Sequence, residues 1–69
     1  MVDERAHLAK ADGHIALANQ YILKQEQLIE RLAAKGYPVE EAENFLSVLV
    51  GSRNVLQHHR LLILDRLQG

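Results

Sequence analysis

Histidines are the side chains with the greatest capacity for chemistry in this 69-residue chain. His14, His58 and His59 could ligate a metal ion, because neutral imidazole is a common ligand of zinc, copper and nickel. His58 and His59 are adjacent, so on a helix they would point about 100° apart, which weakens the case for a specific site. The histidines therefore suggest a metal- or pH-responsive module as one hypothesis. No resident cofactor is expected.

No set of residues in the chain predicts a catalytic site. The chain has no cysteine, which excludes disulfides and thiolate metal sites. Ser47 and Ser52 lack a His–Asp pair that the pattern would position beside them, and there is no glycine-rich phosphate loop. We therefore expect the protein not to be an enzyme.

A heptad pattern in the first half of the chain predicts a long helix over about residues 3–35. Spacings of three and four residues put one narrow stripe on a single side of a helix, and such a stripe requires a partner helix. Gln25 is its one polar member, and a buried amide of this kind fixes register or contacts its own symmetry mate. This first part of the association seam comprises Leu8, Ala11, Ile15, Ala18, Ile22, Gln25, Ile29 and Leu32.

A break at 36–38 separates this helix from a second one, predicted over about residues 38–67. Gly36 suits the end of the first helix, and Pro38 suits the first position of the second. A Gly-Ser-Arg-Asn segment at 51–54 could kink or split the second helix, but the apolar period keeps its phase across it. The second part of the seam comprises Phe45, Leu49, Leu56 and Ile63. Two sets of apolar residues are predicted to flank the line through Leu49, Leu56 and Ile63. Val48, Val55 and Leu62 lie on one side of it, and Phe45, Leu46 and Leu67 lie on the other.

These patterns predict an all-α fold, in which residues 1–69 form a single antiparallel helical hairpin. Asp3 and Glu4 would then lie near Arg66 at the end of the hairpin away from the turn. Two helices cannot enclose a core, yet 48% of the residues are hydrophobic. We therefore expect two hairpins to dimerise into a four-helix bundle. Parallel and antiparallel pairings of the two hairpins fit the pattern about equally well, and helix-dipole electrostatics favour the antiparallel one.

The predicted function is that of a small non-catalytic protein–protein interaction or regulatory module that acts through dimerisation. Its partners would be a second copy of the chain or another protein bound through helix 2. A net charge of −1 gives no general attraction to nucleic acid or to anionic membranes. The start of the chain lacks a signal-peptide pattern, and the longest aliphatic run, 61–64, is too short to cross a bilayer. A cytoplasmic location is expected.

One further pattern is spread along both predicted helices: His7-Leu8-Ala9, Ala11, His14-Ile15-Ala16, Ile22, Gln25, Leu28-Ile29, Leu32, Gly36, Glu41-Ala42-Glu43, Leu46, Leu56, His59-Arg60 and Ile63-Leu64. In these residues the chain resembles a family of short alphaproteobacterial helical-hairpin proteins whose function is unassigned. That resemblance implies a helical hairpin and no particular activity. Gly13 departs from the family pattern, and so does the segment 37–39, which puts the turn geometry in question.

The architecture is also similar to that of Rop-like dimers, so an RNA- or DNA-binding adaptor is a further alternative. The outer polar and aromatic residues of Rop have no counterpart here.

Overall fold

The computed structural model describes residues 3–68 as two helices that pack lengthwise against each other. Helix α1 is Glu4–Ala34 and helix α2 is Glu40–Gln68. The all-α hairpin expected from the sequence is confirmed. The predicted domain, 1–69, extends beyond this range by residues 1, 2 and 69, which lie outside the described residues.

Both ends of α1 are stabilised by groups that the sequence supplies locally. Asp3 is the N-cap, and its carboxylate accepts a hydrogen bond of 3.0 Å from the backbone N–H of Arg5. At the other end Gly36 has a φ of 77°, a left-handed conformation that favours glycine. The backbone N–H groups of Tyr37 and Gly36 donate to the carbonyls of Leu32 and Ala33. This pair of bonds forms a complete Schellman motif, which ends the helix and reverses the chain.

Helix α2 begins two residues later than predicted. Its first hydrogen bond runs from the Glu43 N–H to the Val39 carbonyl at 2.8 Å, so Val39 is the N-cap and Pro38 precedes the helix. The prediction that Pro38 takes the first helical position is therefore wrong. Proline restricts its own φ but suits several positions at a helix start, so its presence does not fix the first residue. The helix continues without interruption through 51–54.

The core between the helices is thin. Among the described residues only Ala11, Ile22 and Ile63 are buried, and Ile63 is the most enclosed, with 1% of its surface exposed. Near the turn, the Gln25 side-chain amide donates a 2.9 Å hydrogen bond to the Ala42 carbonyl. Gln25 thus joins α1 to the first turns of α2 within one chain.

The hairpin is a rod rather than a sphere. It measures 53 × 16 × 14 Å, and its radius of gyration is 16.0 Å, against about 11 Å for a compact domain of this length. Its accessible surface is 5456 Å², whereas a compact monomer of 7.8 kDa exposes about 4,400 Å². A single hairpin therefore leaves about 1,000 Å² more surface in water than a compact fold would.

Candidate association surface

Two polar contacts join the helices along one long side of the hairpin. The Arg60 guanidinium donates to the Asp12 carboxylate, and Arg53 donates to the Asn19 side-chain oxygen at 3.3 Å. Asp12 and Asn19 lie seven residues apart, so they fall on the same side of α1 two turns from each other. These two contacts bridge α1 and α2 between residues 12–19 and 53–60.

The opposite long side is an open groove with two adjoining depressions. The end depression, of about 240 Å³, lies toward the end of the hairpin away from the turn, which we call the open end. The central depression, of about 270 Å³, lies next to it, and His14 and Leu56 line both. Ala11 and Ile63 are buried in the floor of the end depression, and His7, Lys10, His14 and His59 surround it.

Large apolar side chains lie along this groove. Leu17 and Tyr21 line the central depression, and Leu28 follows Tyr21 by two turns. On α2, Val48, Val55 and Leu62 lie three or four positions from Ser52 or His59, which line the depressions. Phe45 lies seven positions before Ser52, on the same side. We call this surface the groove face, and all of its members are exposed in the single hairpin: Leu17, Tyr21, Leu28, Phe45, Val48, Val55 and Leu62.

The predicted seam residues divide between the interior of the hairpin and the groove face. Phe45 belongs to the groove face, since it lies two turns before Ser52, and 53% of its surface is exposed. It therefore lies on the same side of α2 as Val48, not with Leu46 and Leu67 as predicted. The other predicted seam residues are buried or half-buried in the interior of the hairpin: Leu8, Ala11, Ile15, Ala18, Ile22, Gln25, Ile29, Leu32, Leu49, Leu56 and Ile63.

Three of the seven groove-face residues were not predicted, because the sequence pattern on α1 was interpreted along the heptad seam alone. Leu17, Tyr21 and Leu28 are not seam residues. They are separated by four and seven residues, which places them on one side of α1 beside the seam. That spacing is the signal that could have identified them.

The structure brings together two of the three histidines that were predicted as metal ligands. His14 and His59 line the end depression, as their level in the hairpin predicts, while His58 does not line it. His7 lines it too, and its Nδ1 lies 3.7 Å from the Glu4 carboxylate. Within residues 3–68 no three His, Cys, Asp or Glu side chains are grouped so that they could hold a metal ion. The metal site at His14, His58 and His59 stays a prediction.

The two serines are not arranged as nucleophiles. The Ser47 hydroxyl donates to the Glu43 carbonyl of its own helix at 3.2 Å. Ser52 lines the central depression with His14, but no hydrogen bond joins the two side chains in the described part of the chain. Neither serine is therefore paired with a general base.

Charge is distributed unevenly along the rod. Residues 26–43, which surround the turn, include five glutamates and two basic residues. All four histidines lie toward the open end, with Lys10 and Arg66 near them. At that end Arg66 also lies 3.8 Å from the Glu4 carboxylate, as expected from the hairpin. The turn end is thus acidic, and the open end carries the imidazoles.

Neither described helix has an apolar stretch of the length and purity needed to cross a membrane. No protein-family model, curated protein or solved structure matches the chain.

Proposed function

We propose that this protein is a small non-catalytic interaction module that acts by dimerisation, with the groove face as the contact between two copies. The observation that carries the proposal is that seven of the eleven exposed large apolar side chains of the described residues lie on one side of the hairpin. An apolar face of this width is typical of a helix pair that packs against further helices. Two groove faces placed together make a four-helix bundle.

The surface area supports a second copy as the occupant. Stable protein–protein interfaces bury about 800 Å² on each partner. The hairpin exposes about 1,000 Å² more than a compact monomer of its mass would. Pairing two groove faces would bring the exposed area per chain close to that of an ordinary folded domain.

A matched pair of variants tests the proposal. Val48 on the groove face and Leu61 on the far side of α2 are 61% and 60% exposed. Val48→Lys would put a charge into the dimer interface, so sedimentation equilibrium should show the variant shifted from dimer to monomer. Leu61→Lys adds the same charge at the same exposure and should leave the dimer intact.

The result that contradicts the proposal is a wild-type chain that sediments as a folded monomer across the accessible concentration range. Equal loss of dimer in both variants would also contradict it, because the groove face would then have no special role. Circular dichroism of each variant checks that both remain helical.

A further inference from the structure

We propose that the two hairpins of the dimer lie antiparallel, with their turns at opposite ends, so that the partner's Phe45 fills the end depression. This inference rests on the proposed function, since it assigns an orientation and a central contact to that dimer. In a two-fold symmetric pair the contact occurs twice, once at each end.

Charge favours this orientation. With the turns together, the two acidic turn ends would lie side by side, each with five glutamates and two basic residues within 26–43. With the turns apart, each acidic turn end lies beside the open end of the other copy, where residues 3–14 and 58–68 contain four acidic and four basic residues. Like charges placed together across an interface are unfavourable, so the antiparallel arrangement, which separates the two acidic ends, is favoured.

The position of Phe45 along the rod matches that of the end depression. Phe45 lies five residues after the start of α2 at the turn end, which is about 7.5 Å along the axis. Lys10, which lines the depression, lies six residues after the start of α1 at the open end, or about 9 Å. When two antiparallel hairpins overlap fully, the partner's Phe45 is therefore level with this depression.

The depression also suits an aromatic ring in size and chemistry. The end depression is open to solvent and has about 240 Å³, which exceeds the volume of about 150 Å³ at which an enclosed apolar cavity holds benzene. Its floor is formed by Ala11, Leu56 and Ile63, which are apolar, and the ammonium of Lys10 at its rim can lie against an aromatic face. Phe45 is half exposed in the single hairpin, and in the antiparallel dimer the partner's end depression would cover it.

Distances between spin labels test the orientation. The chain has no cysteine, so Lys35→Cys places one label at the turn and Gln68→Cys places one at the open end. Double electron–electron resonance on the Lys35→Cys dimer should give a distance close to the 53 Å length of the hairpin. A dimer that mixes the two labelled chains should give about 20 Å or less, because packed helices lie about 10 Å apart.

The outcomes separate the two proposals. A short distance in the Lys35→Cys dimer, with a long one in the mixed dimer, would overturn the antiparallel orientation and leave the dimer itself standing. A labelled protein that sediments as a monomer would overturn both. The label sites are exposed at Lys35 and Gln68, where substitution leaves the packing between α1 and α2 untouched.

A second pair of variants tests the occupant of the end depression. Phe45→Ala should raise the dimer dissociation constant about tenfold or more, since a buried aromatic at the centre of a pocket carries much of an interface's affinity. Tyr37→Ala removes an aromatic of similar exposure, 58% against 53%, at the turn and outside the groove. It should change the dissociation constant less than twofold. Equal effects would show that Phe45 does not occupy the depression.

Discussion

At the scale of single residues, the contact between α1 and α2 depends on a few side chains. Ile63 is almost fully enclosed, and Ala11 and Ile22 are the other buried residues of the described chain. Most other seam residues are only half buried, because two helices can cover a side chain from one direction only. Their full burial requires the second pair of helices that the proposed dimer supplies.

Ile63→Ala should therefore cost the protein about 2–4 kcal/mol of unfolding free energy, which is the usual loss for a buried isoleucine. Leu61→Ala, two residues away and 60% exposed, should stay within about 0.5 kcal/mol of wild type. Urea denaturation followed by circular dichroism at one fixed protein concentration measures both. Similar losses in the two variants would show that Ile63 does not hold the helices together.

At the scale of helices, the turn is the best-defined element. The Schellman motif at Gly36 satisfies carbonyls at the end of α1 with two backbone hydrogen bonds. Gly36 has a left-handed φ, whereas Gly13 lies within α1 with open space around the position of a Cβ atom. The same substitution should thus have opposite effects at the two positions.

Gly36→Ala should lower the unfolding free energy by about 1–2 kcal/mol, because a Cβ atom is strained at positive φ. Gly13→Ala should raise it by about 0.5–1 kcal/mol, since alanine is the better helix former and nothing obstructs its methyl group. Thermal and urea unfolding of the two variants beside wild type test the pair. A stabilised Gly36→Ala protein would contradict the left-handed turn.

The helices could be predicted from sequence because their signals are local. The apolar period, Asp3 as N-cap and Gly36 as the end of α1 all act within one or two turns, and the structure has each of them in place. The start of α2 was misplaced by two residues at Pro38, since local preference permits several first positions. The groove face was recognised only in part, because it depends on which sides of α1 and α2 come together.

At the scale of the whole molecule, the rod shape and its one apolar side set the expected behaviour in solution. A hairpin with only three buried residues among those described has little stability of its own. Folding and association should therefore be coupled, so that the free energy of the folded state depends on protein concentration.

The melting temperature should accordingly rise with protein concentration. Raising the protein concentration to about a hundredfold above the dissociation constant adds on the order of 2–3 kcal/mol of stability. This corresponds to a rise of about 8–24 °C in the melting temperature of a domain of this size. Calorimetry over a concentration series measures the shift. Val48→Lys should melt at a temperature that does not depend on concentration, and a concentration-independent wild type would argue against coupled folding.

The tight turn at Gly36 also has a consequence for the order in which the hairpin assembles. Residues beside the turn are close in sequence, so they can meet at a small cost in loop-closure entropy, whereas those at the open end close a loop of more than fifty residues. Folding should thus begin at the turn, and the contacts between α1 and α2 should then form progressively toward the open end. Native-state hydrogen exchange should be fastest toward Glu4 and Gln68. The end depression lies in that last, most easily frayed part. A partner seated there would protect the segment that a lone hairpin holds least firmly.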